Sequence, residues 1–153
     1  MAESRMGMFD RYVEAARRTV VRAKHQADRF GSLEIDPEHI LLALLDDPVL
    51  VSQTMKGISE QEIVETITAR LPQRERNLLP HDLGLSRAAR EALILAEREA
   101  DKFGHRHIRN GHLLLGLVES RDCFAAELLT EKGLSADQLR RQLESSLPDP
   151  GAE

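Results

Sequence analysis

The chain has 153 residues, of which 41% are apolar, 31% charged and only 3% aromatic, with a net charge of −5. Such a length fits one domain, or two very small ones sharing a core built from Leu, Ile, Val and Ala, and that mixture suits helices packed on helices better than a β-sandwich. Interspersed charges exclude the basic stripe of a nucleic-acid binder, no apolar run is long enough to span a membrane, and the single cysteine, Cys123, excludes an internal disulfide.

The opening residues Met1–Phe9 carry no apolar stretch of the kind a secretory leader needs, and a reducing, cytoplasmic setting is expected. A first helix is predicted from Asp10 to Arg29, rich in Ala, Arg and Glu and ended by Phe30-Gly31. The second opens at Asp36-Pro37, an N-cap followed by proline, and runs into nearly continuous Leu and Ile. That pattern marks a helix buried almost all round. A short third helix is predicted over Pro48–Lys56. The fourth begins with a capping box at Ser59-Glu60-Gln61-Glu62 and lines one face with Ile63, Ile67 and Leu71.

Residues Pro72 to Leu85 are polar, contain Pro80 and Gly84, and read as a linker. Beyond it the order repeats. A helix over Arg87–Lys102 ends at Phe103-Gly104, a buried helix opens near Asn110, a short one covers Asp122–Lys132, and a second capping box starts at Ser135. Leu139, Leu143 and Leu147 then match Ile63, Ile67 and Leu71. The tail from Pro148 cannot continue a helix.

An offset of 73 residues sets Phe30-Gly31 over Phe103-Gly104 and Glu38-His39-Ile40-Leu41-Leu42 over Gly111-His112-Leu113-Leu114-Leu115. At an offset of 76, Gly57-Ile58-Ser59 falls on Gly133-Leu134-Ser135, so the second copy holds three extra residues, most simply near Glu119 to Asp122. The expected fold is all-α: a pseudo-twofold bundle of eight helices from two tandem four-helix repeats. The whole chain forms one domain, with repeat one over about 8–72, a linker over about 73–85, repeat two over about 86–147 and a tail over 148–153.

Little in this pattern speaks for catalysis. There is no Gly-x-Ser-x-Gly elbow and no P-loop. His105, His107 and His112 lie close in sequence, but without a neighbouring cysteine or carboxylate at ligand spacing they read as loop or first-turn histidines bonded to backbone. Cys123, between Asp122 and Phe124, lacks the basic neighbours that activate a thiol. A binding scaffold without metal or cofactor is expected, and no enzyme.

The motifs Phe9-Asp10-Arg11-Tyr12, Glu38-His39-Ile40-Leu41-Leu42-Ala43-Leu44, Phe103-Gly104-His105 and Gly111-His112-Leu113-Leu114-Leu115-Gly116-Leu117 carry a resemblance. The chain is similar over about residues 8–147 to the N-terminal domain of Clp ATPases, most of all the ClpC and ClpA type. The resemblance implies a domain placed before ATP-driven unfoldase rings, one that receives substrate proteins and adaptors for the Clp peptidase. The ATPase modules would start where this chain stops. That fits either a fragment of an unfoldase or a free-standing relative that docks on Clp unfoldase or peptidase subunits or sequesters their ligands. A monomer is expected, with no nucleic acid or membrane partner.

The resemblance also implies phosphoarginine recognition, because ClpC-type domains use two repeat-related pockets that each pair a helix-start hydroxyl with a glutamate. Phosphate suits the free amides of a helix start, and a carboxylate suits a guanidinium. Carried over by position, the first pocket uses Arg11, Val13 and Glu38, with valine where a threonine is expected. The second uses Ser86, with Gly111 where the second glutamate belongs. Each pocket so assigned lacks one part.

Overall fold

The computed structural model describes residues 9–71, 83–121 and 123–146, and among these it holds eight α-helices and no β-strand. Helices α1 (Glu14–Arg29), α2 (Pro37–Leu44), α3 (Pro48–Thr54) and α4 (Glu60–Arg70) make the first half. Helices α5 (Arg87–Phe103), α6 (Asn110–Glu119), α7 (Phe124–Glu131) and α8 (Ala136–Ser146) repeat their order. This is the all-α, pseudo-twofold arrangement that the doubled sequence implies.

Local chemistry sets most of the boundaries. Gly31 and Gly104 take positive φ, 68° and 74°, which lets the chain turn back on α1 and α5. The amide of Ser32 then reaches Ala27 O at 2.8 Å, and that of His105 reaches Ala100 O at 2.9 Å. Asp36 caps α2 as its sequence predicts, but its reciprocal partner is a histidine: the Asp36 amide donates to His39 Nδ1 at 2.8 Å. At α6 the Arg109 amide donates to His112 Nδ1 at 2.9 Å. The two buried helices are therefore capped by the same device, which carries no Ser/Thr-x-x-Glu signature in the sequence.

At α4 and α8 the hydroxyls of Ser59 and Ser135 accept from the amides of Glu62 and Gln138 at 3.2 and 3.1 Å. The Glu62 carboxylate does not reach back as a capping box requires. It pairs instead with Lys132 of the other repeat, whose hydrogen bond holds the carboxyl below its ordinary pKa.

Helix α1 starts at Glu14, four residues later than the sequence predicts, because Arg11–Val13 is used otherwise. Tyr12 forms a parallel bridge with Ile108; the Val13 amide donates to Ile108 O at 3.0 Å and the Ile108 amide to Arg11 O at 2.8 Å. The same bridge joins Ile35 to Leu85 on the other side, with the Ile35 amide on Gly84 O and the Ser86 amide on Ile35 O, both at 2.9 Å. Residues 72–82 of the expected linker, Asp122, Leu147 and the tail lie outside the described residues.

Helices α2 and α6 form the centre. Ile40, Leu41, Leu44, Leu114, Leu115 and Leu117 are all fully buried. Each helix packs on the other and on neighbours from both halves: α2 meets α1, α4, α5 and α7, and α6 meets α1, α5, α7 and α8. The repeats therefore share one core. In the second half α5 and α6 approach so closely that a Cβ at Gly116 would lie 2.4 Å from Ala92 O. Position 43, its repeat equivalent, is an alanine.

One buried charge ties the second half together. Glu99 is 1% exposed, and Arg140 of α8 grips both its oxygens, Nε to Oε1 and Nη2 to Oε2, each at 3.0 Å. Arg140 also pairs with Glu119 of α6, and Lys102 approaches Glu99 at 3.2 Å. A carboxylate removed from water survives only when it is paired this fully.

Candidate functional site

The two bridges decide which candidate residues meet. Ile35 holds Ser86, at the N-cap of α5, beside the first turn of α2, where Glu38 sits. Ile108 holds Val13, at the N-cap of α1, beside the first turn of α6, where Gly111 sits. Ser86 is thus brought together with Glu38, and Val13 with Gly111. The assignment by repeat, Val13 with Glu38 and Ser86 with Gly111, does not match this geometry. Glu38 lies instead by the far end of α1, where neighbouring His39 contacts Ser32 through Nε2 and Oγ at 3.1 Å. Sixteen helical residues, about 24 Å of rise, separate that end from Val13.

At the Ser86–Glu38 junction both chemical parts are present. Ser86 is 6% exposed and its Oγ accepts from the Ala89 amide at 3.1 Å, which fixes the hydroxyl at the start of α5. The first-turn amides of such a helix have no partner within it, and the dipole makes that end attractive to an anion. Glu38 is half-buried. Burial raises its carboxyl pKa and Asp36 adds to the rise, whereas a backbone hydrogen bond and the charge of Arg70 oppose it. Arg70, in the last turn of α4, lays its guanidinium over the Phe124 ring, 4.1 Å from the centroid. Cys123 is buried nearby, and burial pushes its thiol pKa up, away from reactivity. Arg70 and Phe124 come from the end of repeat one and the middle of repeat two, and no local sequence pattern marks either.

The Val13–Gly111 junction is built as a clamp. Val13 offers no side-chain cap to α1. The Arg11 guanidinium is committed to the α5–α6 loop: Nε donates to Arg106 O at 2.9 Å and Nη2 to His105 O at 3.0 Å. Its remaining contacts are with carboxylates of α5, Asp101 at 3.0 Å and Glu97 at 3.5 Å. Where a carboxylate at position 111 would project, Leu143 of α8 already stands, 2.7 Å from the place of a Cβ. Beside it Thr19 donates to Asn110 Oδ1 at 2.8 Å and Asn110 Nδ2 donates to Asp47 at 2.9 Å, linking α1, α6 and the cap of α3. Van der Waals contact and hydrogen bonds take up the groups that a ligand would need.

His105 and His112 do meet, Nδ1 to Nε2 at 3.1 Å, with Phe103 stacked on His105 at 5.1 Å. Because His112 Nδ1 accepts from the Arg109 amide, its Nε2 carries the proton and donates to His105. The pair is a structural hydrogen bond. Among the described residues no cluster of three or more His, Cys, Asp and Glu side chains is arranged to hold a metal ion, and no helix is long and apolar enough to cross a membrane.

The family model for the Clp repeat (R) N-terminal domain matches residues 11–110 and 84–150. An uncharacterised protein of Mycobacterium tuberculosis is 36% identical over 114 residues, which are 74% of this chain and 45% of that protein. ClpC/MecB of Bacillus subtilis, described as a negative regulator of genetic competence, is 27% identical over 139 residues, 89% of this chain and 17% of its own length. This chain spans less than half the length of either relative. Among solved structures, the Hsp104 N-terminal domain of Candida albicans superposes with a TM-score of 0.71 at 19% identity, covering 91% of this chain and 92% of that one. A ClpV N-domain solved in complex with a VipB peptide gives 0.72 at 17% identity, with 89% and 86% covered. These structures share the fold. With its family model matching across both repeats, the chain belongs to the Clp repeat N-terminal domain family.

Proposed function

We propose that this chain is a non-catalytic protein-binding module of the Clp unfoldase system that receives substrate proteins or adaptors, and that it retains one phosphoarginine pocket, at Ser86 and Glu38. The meeting of those two residues at one junction, each from a different repeat, carries the reading. Phosphate would sit at the start of α5 against the Ser86 hydroxyl and the free first-turn amides. The guanidinium would lie against the Glu38 carboxylate, a forked acceptor for its paired N–H groups. The peptide complex of a ClpV N-domain supports the broader role, since a domain of the same fold takes a polypeptide segment. At the other junction neither Val13 nor Gly111 carries a hydroxyl or carboxylate, and the neighbouring Thr19 and Asp47 are both bonded to Asn110, so it takes no part.

Isothermal titration with free phosphoarginine and with a phosphoarginine peptide tests the pocket. Wild-type protein is expected to bind at one site, and Glu38→Gln to weaken binding at least about tenfold, the equivalent of one lost charge-assisted hydrogen bond. Gly111→Ala leaves affinity unchanged. Absence of heat at millimolar ligand would remove phosphoarginine from the reading and leave the broader receptor role to be tested by partner capture.

A further inference from the structure

Away from that junction, a cavity of about 500 Å³ opens between the α3–α4 turn and the α7–α8 turn. Gly57 and its repeat counterpart Gly133 both line it, so the cavity lies across the pseudo-twofold relation and belongs to neither repeat alone. Its wall carries three cations, Lys56, Lys132 and Arg141, with the amide of Gln138 beside them, and none of its lining residues is acidic. In a chain of net charge −5 that concentration runs against the composition. Lys132 is held by Glu62 across the repeat boundary. Lys56 and Arg141 are exposed and make no ion pair with any described residue. Two positive charges thus stand at the cavity without a carboxylate partner among the described residues, unlike Arg18 with Glu14 or Lys24 with Asp28.

We propose that this cavity binds an acidic peptide segment, the Asp- or Glu-rich stretch of a protein that the module receives. The volume falls in the range that accommodates a few side chains, and a single inorganic phosphate would leave most of it empty. Cations set on both sides of the cavity match carboxylates spaced along an extended chain, and the Gln138 amide can donate to or accept from its backbone. Charge complementarity of this kind speeds encounter and selects partners, and salt weakens it. The inference rests on the protein-receiving role proposed above and concerns residues remote from the Ser86–Glu38 pocket, so the two fail separately.

The test is titration of the isotope-labelled full chain with a capped oligoglutamate peptide, followed by amide chemical shifts, with an oligoglutamine peptide of equal length and inorganic phosphate at matched ionic strength as comparators. Oligoglutamate is expected to move the Gly57 and Gly133 amides. The double variant Lys56→Glu with Arg141→Glu is expected to weaken that binding at least about tenfold, because two attractive charges become repulsive. Both side chains are exposed, so the remaining spectrum of the variant should overlay that of the wild type; a Lys56→Gln and Arg141→Gln pair gives a milder loss and guards against misfolding. Equal shifts from oligoglutamine, equal shifts from phosphate alone, or oligoglutamate binding that survives the charge reversal would each overturn the proposal. Glu38→Gln leaves these shifts unchanged, which separates this site from the phosphoarginine pocket.

Discussion

At one junction the Val13 amide meets Ile108 and at the other the Ser86 amide meets Ile35, with hydrogen bonds of 3.0 and 2.9 Å and the same parallel bridge beside each. The backbone is common, yet the side chains have gone separate ways. Around Val13 every strong group is used internally: Arg11 on the α5–α6 loop, Asn110 on Thr19 and Asp47, Leu143 over Gly111. Around Ser86 a buried capping hydroxyl and a half-buried carboxylate stand at two helix starts. A duplicated backbone leaves each half free to take a different burden, one side holding the molecule shut and the other, in the function proposed above, meeting a ligand.

The sharpest way to break the comparison is at Arg140, which has no counterpart in the first half, where position 64 at the equivalent offset is a valine. Arg140→Ala leaves the buried Glu99 carboxylate without its bidentate partner, so a loss of about 3–5 kcal/mol is expected in urea denaturation. A loss below about 1 kcal/mol would mean that water and Lys102 satisfy Glu99 without it.

Acid should act next, through the two histidine caps. Burial first, then the charges of His105, Arg109 and Arg11, push His112 down to about 4, against a small opposing contribution from Glu99. His39, which faces Ser32 where His112 faces His105, is also lowered by burial, with Asp36 opposing. A folded-state value below the unfolded one means that both rings are held neutral. Their contribution is complete above the unfolded histidine pKa and is lost as pH falls from there through the folded value. For His112 the loss between about pH 6.5 and 4 is on the order of 3 kcal/mol as an upper bound. Denaturation midpoints across that range should flatten more in His112→Asn than in His39→Asn; equal flattening would show that the neighbouring cations around His112 contribute nothing.

The smallest effect exchanges the two caps themselves. Ser86→Ala removes an N-cap acceptor and should cost about 1 kcal/mol, whereas Val13→Thr supplies one and should raise stability by up to about 1 kcal/mol. Urea midpoints moving in opposite directions would confirm that the junctions differ by side chain alone. A stability loss in Val13→Thr would show that its packing against the core has become essential.

Much of the fold is legible in the sequence because its signals are local. Asp36-Pro37, the turn glycines at 31, 104, 57 and 133, and the serines at 59 and 135 each act within one helical turn, and the structure uses all of them. The site is less legible. Alignment of the repeats shows which residues are equivalent, and equivalence says nothing of adjacency: Ser86 and Glu38 share a junction only because Ile35 and Leu85 pair across the halves. The Arg11 clamp is similarly hidden, since its carbonyl partners lie 94 and 95 residues away. Glu99 was open to detection. It falls on the apolar stripe of α5 between Ala96 and Ala100, and a carboxylate on a buried helical face calls for a cation from elsewhere.

The reciprocal bridges carry one further consequence, for how such a domain holds together. Each half lends its leading segment to the other and receives the same in return, which is the arrangement of an isologous dimer. Separate copies would meet that need only by association, and their integrity would fall with dilution. Carried on one polypeptide, the exchange becomes intramolecular, and the assembled state no longer depends on protein concentration.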